Sequence, residues 1–300
     1  MERRRRVGAY GVCRDRDGRV LLVRGAELAD FPGVWQLPGG GLGHGEEPEA
    51  HVVREFADQT GLAVATAGPV AAVADVIALP DVGVAVHTDR IVFAVEATGG
   101  ALRNETDGTT DLVRWVSLDE ATGLPLMPFT AEALGLPVTP SRPVVSRSPY
   151  PPLSIGRRQR FAAYGLVTDP SGRVLLTLIA DGYPGAGRWH LPGGGTDHGE
   201  QPATGLLREL VEEAGQLGRV ADLLMVHNLH SPAAQGPEGR PLDWHGVRVV
   251  YRVVVDHPTE ARVTEPAGGS TAEAAWFFPD QLQGLLMTEV AALAIGHQTA

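Results

Sequence analysis

The sequence predicts an α/β protein that contains two copies of one domain. One observation is an internal repeat: Gly40 and Gly194 open the same pattern 154 positions apart, and Trp35 and Trp189 are separated by the same distance. Self-similarity at a fixed offset is typical of a duplicated domain. A second observation is that each copy holds apolar runs typical of strands around one segment with helical spacing. The third is a proline-rich segment between the copies, since prolines make a linker stiff and extended.

Each copy begins with a predicted hairpin of two strands. These strands lie near 7–13 and 19–24 in the first copy and near 161–167 and 173–179 in the second. A glycine-rich loop, one long helix, several strands and a closing helix follow in each copy. Strands and helices are therefore mixed within each predicted domain, as the α/β class requires.

The second copy is longer by seven residues, because the repeat offset rises from 154 to 161 at Trp115 and Trp276. We place four of the extra residues in a loop between Asn228 and Trp244, which is rich in proline and glycine. The other three fall between the strand around Val253 and Trp276.

These offsets predict three segments. The first domain covers residues 1–138, the linker covers 139–156 and the second domain covers 157–300. Each copy has a normal size for one domain. A hydrophobic fraction of 43% over 300 residues is ample for two cores.

Composition limits the classes of partner. The formal net charge of −11 argues against a nucleic-acid polymer as partner. The only cysteine, Cys13, cannot form an internal disulfide, which fits a reducing compartment. Every apolar run is shorter than the roughly 20 residues that a membrane helix needs, and the arginine-rich start does not resemble a signal peptide. We therefore expect a cytoplasmic protein without a membrane partner.

A helix with clustered acids is predicted in the second copy. At about 100° per residue, Glu209, Glu212 and Glu213 share one face. The apolar residues fall around the opposite face, which we expect to be buried: Leu207, Leu210, Val211 and Ala214. An acidic helix face is often only solvated, and like charges at this spacing repel each other.

The residues before this helix favour a metal site over a solvated face. A glycine-rich run, Pro192 to Gly195, leads into His198, Gly199 and Glu200. Glycines let the backbone approach a ligand closely. Carboxylates combined with backbone carbonyls are the ligands that hard divalent cations prefer.

The whole segment resembles the Nudix box, G-x5-E-x7-R-E-U-x-E-E-x-G-U, where U is apolar. The matching residues are Gly194, Glu200, Arg208, Glu209, Leu210, Glu212, Glu213 and Gly215. The last position departs from the pattern, because Gln216 stands where the family has an apolar residue; we expect Leu217 to take its packing role. The resemblance implies the Nudix fold, an α-β-α sandwich with a mixed β-sheet, in both copies.

The resemblance also implies an activity, the metal-dependent hydrolysis of a diphosphate bond in a nucleoside diphosphate-linked compound with Mg²⁺ or Mn²⁺. The implied roles are metal ligation by Glu212, Glu213 and the carbonyl of Gly193, metal ligation or general-base catalysis by Glu209, orientation of Glu209 by Arg208, and bracing of the loop by Glu200. These roles agree with the chemistry, since a metal polarises a diphosphate and a nearby carboxylate can take a proton from water.

The first copy carries a degenerate box. Arg54 and Glu55 keep their positions, whereas Asp58 and Gln59 replace the two metal-binding glutamates. Loss of one charge about 4 Å from a cation is worth on the order of 4 kcal/mol at an effective dielectric of 20. We therefore predict a weak or inactive first site. Two interpretations of the first copy are equally compatible with the sequence: a folded scaffold only, or a partner that shapes the substrate or regulates the second copy.

Other residues give weaker signals. An additional metal-binding carboxylate is predicted beyond the box, either Glu265 or Glu273; we prefer Glu273 because Leu112 occupies its position in the degenerate copy. An ordinary surface glutamate is an equal alternative. The residues around the expanded loop, namely His227, His230, Trp244 and His245, either contact a ligand or pack. The arginines at the start of the second copy, Arg157, Arg158 and Arg160, either solvate a sheet edge or lie near phosphates.

The leading hypothesis is a hydrolase of a small phosphorylated molecule that acts through the second copy. The alternative is a non-catalytic nucleotide or metabolite sensor on a Nudix scaffold. Such sensors usually lose carboxylates of the box, and the second copy keeps all of them. An intramolecular pseudo-dimer of the two copies and a homo-oligomer are both compatible with the resemblance.

Overall fold

The computed structural model describes residues 1–139, 156–235, 240–264 and 269–297, and it contains two compact units. The first unit comprises Met1–Gln159 and Asn228–His245, and the second comprises Arg160–His227 and Gly246–Ala300. A segment of the second copy, Asn228–His245, therefore belongs to the first unit. Nearly all of the predicted linker lies outside the described residues.

The first copy contains seven strands and three α-helices among the described residues. Its strands are β1 (Glu2–Cys13), β2 (Val20–Gly25), β3 (Trp35–Gln36), β4 (Gly39–Gly41), β5 (Leu62–Leu79), β6 (Val84–Gly100) and β7 (Thr110–Val116). Its helices are α1 (Pro48–Thr60), α2 (Leu118–Ala121) and α3 (Pro128–Ala133).

The second copy repeats this order. Its strands are β8 (Arg157–Thr168), β9 (Val174–Ile179), β10 (Trp189–His190), β11 (Gly193–Gly195), β12 (Arg219–Gln235), β13 (Pro241–Val254) and β14 (Thr271–Phe277). Its helices are α4 (Pro202–Ala214), which carries the intact box, and the closing helix α5 (Glu289–Gly296).

The sheets contain both parallel and antiparallel pairs. In the first copy, β4, β1, β6 and β5 form one sheet in that order, with β1 parallel to β6 and the other pairs antiparallel. Strands β3, β2 and β7 form a second sheet. In the second copy the order is β10-β9-β8-β13-β12, with β11 on β8 and β14 on β9. The predicted α/β class with a mixed sheet is confirmed.

Two predicted boundaries are wrong for the same reason. Strand β1 begins at Glu2 instead of near residue 7, because it pairs with β6 along its whole length, from Glu2 opposite Val84 to Cys13 opposite Val95. The predicted loop between Asn228 and Trp244 is largely strand, since β12 continues to Gln235 and β13 resumes at Pro241. Pairing with a neighbouring strand overrides the local turn signals in both places.

Helix α4 is present as predicted, but its buried face differs from the expectation. Leu206, Leu210 and Ala214 are buried together with Glu213, whereas Val211 is exposed. The acids share one side of the helix, as the helical period requires. That side faces partly inward, against the glycine-rich strand β11. Only 4% of the surface of Glu213 is therefore exposed to solvent.

The final position of the box also departs from the expectation. Leu217 is 83% exposed and does not take the packing role that we predicted for it. Gln216 is itself buried, because its amide group exchanges hydrogen bonds with Thr259: Nε2 donates to the Thr259 hydroxyl at 2.9 Å, and Oε1 accepts from the Thr259 N–H at 3.0 Å. A polar side chain is tolerated there because its hydrogen bonds are satisfied.

Each copy has its own hydrophobic core. The first packs around Tyr10, Leu22, Trp35 and Phe129. The second packs around Leu166, Leu176, Leu191 and Val290, with residues of α5 closing it. Within the described part of the chain, none of the helices has the length and apolarity to span a membrane.

Candidate active site

Helix α4 and strand β11 position the acidic residues of the second copy. The helix begins with Pro202 in its first turn and ends at Gly215, whose φ of 66° is the left-handed conformation common at helix C-termini. Gly193 has a φ of 130°, and a side chain there would meet the carbonyl oxygen of Ala163 at 2.3 Å. Only glycine therefore lets β11 pack on β8 and present its backbone to the helix.

The carboxylate of Glu213 is held by two neutral donors. The Gly193 N–H donates to Oε2 at 2.8 Å, and the Thr271 hydroxyl donates to Oε1 at 2.6 Å. Carboxylates can be buried when hydrogen bonds satisfy their oxygens. Thr271 was not predicted. It precedes the β-bulge of β14, which lies between Thr271 and Glu273.

The carboxylate of Glu209 lies directly against the glycine strand. A Cβ atom at Gly194 would lie 3.1 Å from the Glu209 carboxylate, so a side chain there would crowd this acid. Arg208 donates from Nη1 to Glu209 Oε1 at 2.9 Å and to Glu212 Oε2 at 3.1 Å. One guanidinium group thus sets the position of two acids of the box.

Arg208 also joins the helix to the loop before it. Its Nε and Nη2 donate to the two carboxylate oxygens of Glu200 at 3.0 and 3.1 Å, and Glu200 Oε2 accepts from the Asp197 N–H at 2.8 Å. These bonds raise the pKa of Arg208, chiefly through Glu200. The guanidinium therefore remains charged at any pH at which the protein is folded.

The structure thus gathers the predicted site residues on one helix, one adjoining strand and the loop between them: Gly193, Glu200, Arg208, Glu209, Glu212 and Glu213. Three carboxylates beside a backbone carbonyl form a donor set that suits a hard divalent cation. The crowding of Glu209 against Gly194 shows that this donor set needs glycine in β11.

The predicted additional carboxylates are placed differently. Glu273 is exposed on β14, in a surface depression of about 610 Å³ that it lines with Arg173, Thr259 and Trp276, among others. Glu265 lies outside the described residues. On β14, the side chain of Thr271 reaches a carboxylate of the box, that of Glu213. Ligation of a metal by Glu273 stays a prediction.

Basic and aromatic side chains surround the carboxylates in the second unit. The guanidinium group of Arg160 lies against Gly195, where a Cβ atom would be 2.6 Å from Nη2. Tyr164 is partly buried, and the loss of solvent around its hydroxyl raises the pKa of that group, while the charges of Arg248 and Arg160 oppose the shift. Of the three arginines at the start of the second copy, Arg160 is therefore the one that reaches the box.

His190 is a neutral member of this group. Its ring lies 4.6 Å from that of Tyr164, and Nδ1 lies 2.7 Å from the Thr288 hydroxyl. Burial lowers its pKa to about 3, with further contributions from Arg248 and His227. An imidazole with this pKa can accept or donate a hydrogen bond at neutral pH but carries no charge.

In the first copy, an amide fills the corresponding position. Gln59 Nε2 donates to the Gly39 carbonyl at 2.9 Å and to Glu55 Oε2 at 2.7 Å, while its Oε1 accepts from the Gly39 N–H at 3.1 Å. The Gly39 carbonyl and the Glu55 carboxylate correspond to Gly193 and Glu209 in the second copy. The neutral side chain of Gln59 therefore already forms hydrogen bonds with both groups that would face a cation.

A cavity of about 350 Å³ adjoins this degenerate box within the first unit. Its lining includes Glu55 and Gln59 together with two arginines, Arg6 and Arg90. Arg90 is almost fully buried and binds Asp75 through Nη1, and its Nε makes no hydrogen bond to the described residues. A third arginine of the first unit, Arg24, forms a two-point ion pair with Asp111.

Comparison with known proteins agrees with the geometry. The family described as NUDIX domain matches residues 2–135 and 158–294. A MutT-like protein of Streptomyces ambofaciens is 34% identical over 120 residues, which cover 39% of this chain and 66% of the relative. An ADP-ribose pyrophosphatase of Methanocaldococcus jannaschii is 33% identical over 93 residues, covering 31% of this chain and 52% of the relative.

In both cases the chain spans less than two thirds of the relative's own length. A crystal structure of a MutT NUDIX hydrolase from Burkholderia pseudomallei is similar at 29% identity and a TM-score of 0.36, over 47% of this chain and 98% of that one. The two regions matched by the family take up most of the 300 residues. The chain therefore belongs to the Nudix family and contains two Nudix domains in tandem.

Proposed function

We propose that the second domain hydrolyses a diphosphate bond in a small nucleoside diphosphate-linked compound. The observation that carries this proposal is the contrast between the two boxes. The second gathers Glu209, Glu212 and Glu213 beside the Gly193 backbone, whereas an amide closes the equivalent space of the first. A chain that served only to bind a metabolite would not need the complete set of carboxylates in the second box.

A divalent cation, Mg²⁺ or Mn²⁺, fits this donor set and when bound would neutralise the diphosphate and make water more acidic. The residues that would hold it are Glu209, Glu212, Glu213 and the Gly193 carbonyl, with Glu273 as a further ligand to be tested. Arg208 holds two of these acids through Nη1, and the Gly193 N–H and Thr271 hold the third.

The chain's own residues can perform the remaining steps. Glu209 either ligates the cation or accepts a proton from the attacking water. In the second role, the water oxygen forms a bond to phosphorus while the P–O bond to the leaving group breaks, and the bonding electrons stay with the leaving-group oxygen. Arg160 and Arg248 place positive charge near Tyr164 and the box, where it would attract phosphate oxygens.

The chemistry of this site supports a diphosphate-containing substrate, and so do the names of relatives, among them an ADP-ribose pyrophosphatase and an RNA pyrophosphohydrolase of Rhodopseudomonas palustris. Small phosphorylated molecules suit a chain with a net charge of −11, because only local positive charge is needed to bind them.

The test is a substrate panel with the full chain. Release of phosphate or nucleoside monophosphate would be followed for nucleoside triphosphates, nucleotide sugars, ADP-ribose and dinucleoside polyphosphates, each with Mg²⁺, with Mn²⁺ and with a chelator. We expect turnover of at least one class that the chelator abolishes. Absence of metal-dependent turnover across the panel would contradict the proposal.

A second function is favoured for the first unit by one observation, the cavity beside its degenerate box. Two arginines and an uncharged amide line it beside two acids, Asp30 and Glu55. The arginines are the groups that would contact an anionic phosphorylated ligand, and the incomplete set of metal-binding acids favours binding without hydrolysis. Arg6→Ala should then weaken binding of such a ligand to a hydrolysis-deficient Glu209→Gln chain. The equivalent change of an exposed arginine outside the cavity, Arg16→Ala, should not.

A further inference from the structure

A cluster of imidazole and carboxylate groups lies within the first compact unit, apart from both boxes. His44 comes from the loop after β4, whereas His230 and Asp243 come from β12 and β13. One ligand atom from each of the three residues lies within 4.8 Å of the others. The proposed hydrolysis makes no use of these side chains.

Both histidines converge on one carboxylate oxygen. His230 Nε2 lies 2.7 Å from Asp243 Oδ1, and His44 Nε2 lies 3.0 Å from the same atom. The rings of the two histidines are nearly perpendicular, with centroids 5.5 Å apart. Three donor atoms therefore surround one small volume from three directions.

The close approach of His44 to Asp243 is not a well-formed hydrogen bond. His44 Nε2 is buried and has no hydrogen-bond partner of acceptable geometry among the described residues, although Asp243 Oδ1 lies 3.0 Å away. A buried polar nitrogen without a directed partner is uncommon and needs an explanation. A cation on the lone pair of this nitrogen would supply one.

The neighbouring groups hold the cluster in place without competing for its donor atoms. Arg157 Nε lies 3.2 Å from Asp243 Oδ2, which leaves Oδ1 to the imidazoles. His245 uses both ring nitrogens elsewhere: Nδ1 accepts from the Gly45 N–H at 3.0 Å, and Nε2 lies 2.8 Å from Asn228 Oδ1. Partners of this kind orient the ligands of metal sites in proteins.

We propose that His44, His230 and Asp243 bind a divalent transition-metal ion of the zinc class. Two imidazoles and one carboxylate are a ligand set that zinc accepts, whereas Mg²⁺ prefers oxygen ligands alone. In a tetrahedral zinc site, neighbouring ligand atoms lie about 3.3 Å apart. The nitrogens of His230 and His44 lie 2.7 and 3.0 Å from Asp243 Oδ1, so each needs to move away from that oxygen by only about half an ångström or less. All three side chains are partly exposed, which gives the ion access from solvent.

The consequence is a cross-link between distant parts of the chain. His44 belongs to the first copy and His230 to the second, and both lie in the first unit. An ion that binds only the folded arrangement stabilises it in proportion to its concentration. Three protein ligands would leave a fourth position for water.

The test uses metal-stripped full-length protein titrated with Zn²⁺, and separately with Co²⁺, in an excess of Mg²⁺ that occupies the carboxylate site of the second domain. We expect one Zn²⁺ per chain by calorimetry, a rise in the midpoint of thermal unfolding, and the intense visible absorption of four-coordinate Co²⁺. His230→Ala and Asp243→Asn should weaken Zn²⁺ binding by about tenfold or more. His257→Ala, which removes an exposed histidine beside Asp256, should have no effect.

Circular dichroism and the unfolding midpoint in chelator show whether each variant is folded, and His230→Gln replaces any variant that is not. The proposal is wrong if wild-type protein binds no Zn²⁺ in excess Mg²⁺. It is equally wrong if the His230 variant binds Zn²⁺ as tightly as the wild type, or if bound Co²⁺ shows only the weak spectrum of a six-coordinate ion. Diphosphate hydrolysis plays no part in these readouts, so they stand apart from the proposed function.

Discussion

Gln59 donates a 2.7 Å hydrogen bond to Glu55, the acid that keeps its position in the first box. The same amide nitrogen donates to the Gly39 carbonyl. In the second box, the equivalent side chain is the carboxylate of Glu213. It accepts from the Gly193 N–H, as Gln59 Oε1 accepts from the Gly39 N–H, but a carboxylate has no N–H group to donate. The replacement of a glutamate by Gln59 thus converts a site that attracts a cation into a closed hydrogen-bond network, whose groups are neutral or carry a single charge.

The acids of the second box should be required for turnover and those of the first should not. Glu209→Gln and Glu213→Gln should each lower kcat by about 10²- to 10⁴-fold, as expected for loss of a general base or of a metal ligand. Glu55→Gln, the matched change in the first box, should leave kcat within about twofold of the wild type. The measurement is product release at saturating Mg²⁺ with the best substrate of the panel. Equal damage by Glu55→Gln would show that the first site takes part in catalysis.

Restoring the charge in the first box should create a cation site at a cost in stability. Gln59→Glu would bury a carboxylate within hydrogen-bond distance of Glu55, because Gln59 is itself buried. Without metal we expect a loss of about 3 kcal/mol in the free energy of unfolding at pH 7.

The pKa of this new carboxyl should be raised, so the loss should shrink as the pH falls and the group is protonated. Mn²⁺ should restore the stability at pH 7. Urea unfolding with and without Mn²⁺, in a Glu213→Gln background that weakens the second site, tests both statements. Gln59→Ala is the control, since it should respond neither to Mn²⁺ nor to pH in this way.

Thr271 should matter because it satisfies a buried carboxylate. Thr271→Val keeps the shape of the side chain but removes the hydroxyl that donates to Glu213 Oε1. An unsatisfied buried acceptor costs about 1–3 kcal/mol, which should appear in urea unfolding. Mg²⁺ should also bind more weakly to a less well-oriented Glu213. Thr271→Ser, which retains the donor, should behave like the wild type; a loss as large as that of the valine variant would assign the effect to packing instead.

His190 should make the second domain sensitive to acid. Burial lowers its pKa from 6.5 to about 3, so the folded state binds fewer protons than the unfolded state between these values. The stability contributed by the neutral imidazole is complete above about pH 6.5 and is lost as the pH falls towards 3.

His190→Gln removes this titration with a residue that the first copy already uses, Gln36 at the equivalent position. The variant should therefore lose less stability than the wild type between pH 6.5 and pH 4, measured by urea unfolding at closely spaced pH values. Parallel curves for the two proteins would show that His190 is not held neutral in the folded state.

Local spacing accounts for what could be predicted about the site. The Arg208–Glu209–Glu212–Glu213 group lies on one helical turn and a half, so the helical period alone brings these side chains together. Their relation to Gly193 and Glu200 depends on a short loop, which the sequence also specifies. The tilt of the helix could not be predicted in this way, because packing on the sheet decides which side is buried. For that reason Glu213 is enclosed, and Val211, expected inside, is exposed.

The sequence by itself determined that the chain is a duplicated α/β domain with one complete and one degenerate box, because repeats and helical spacings are short-range patterns. Only the tertiary structure decided that Thr271 supports Glu213, that Gln59 closes the first site, and that His44 meets Asp243. These contacts join residues between 20 and 199 positions apart, as with Gln59 to Gly39 and Asp243 to His44. Contacts made across strand pairs and loops depend on register and backbone path, which local periodicity does not contain.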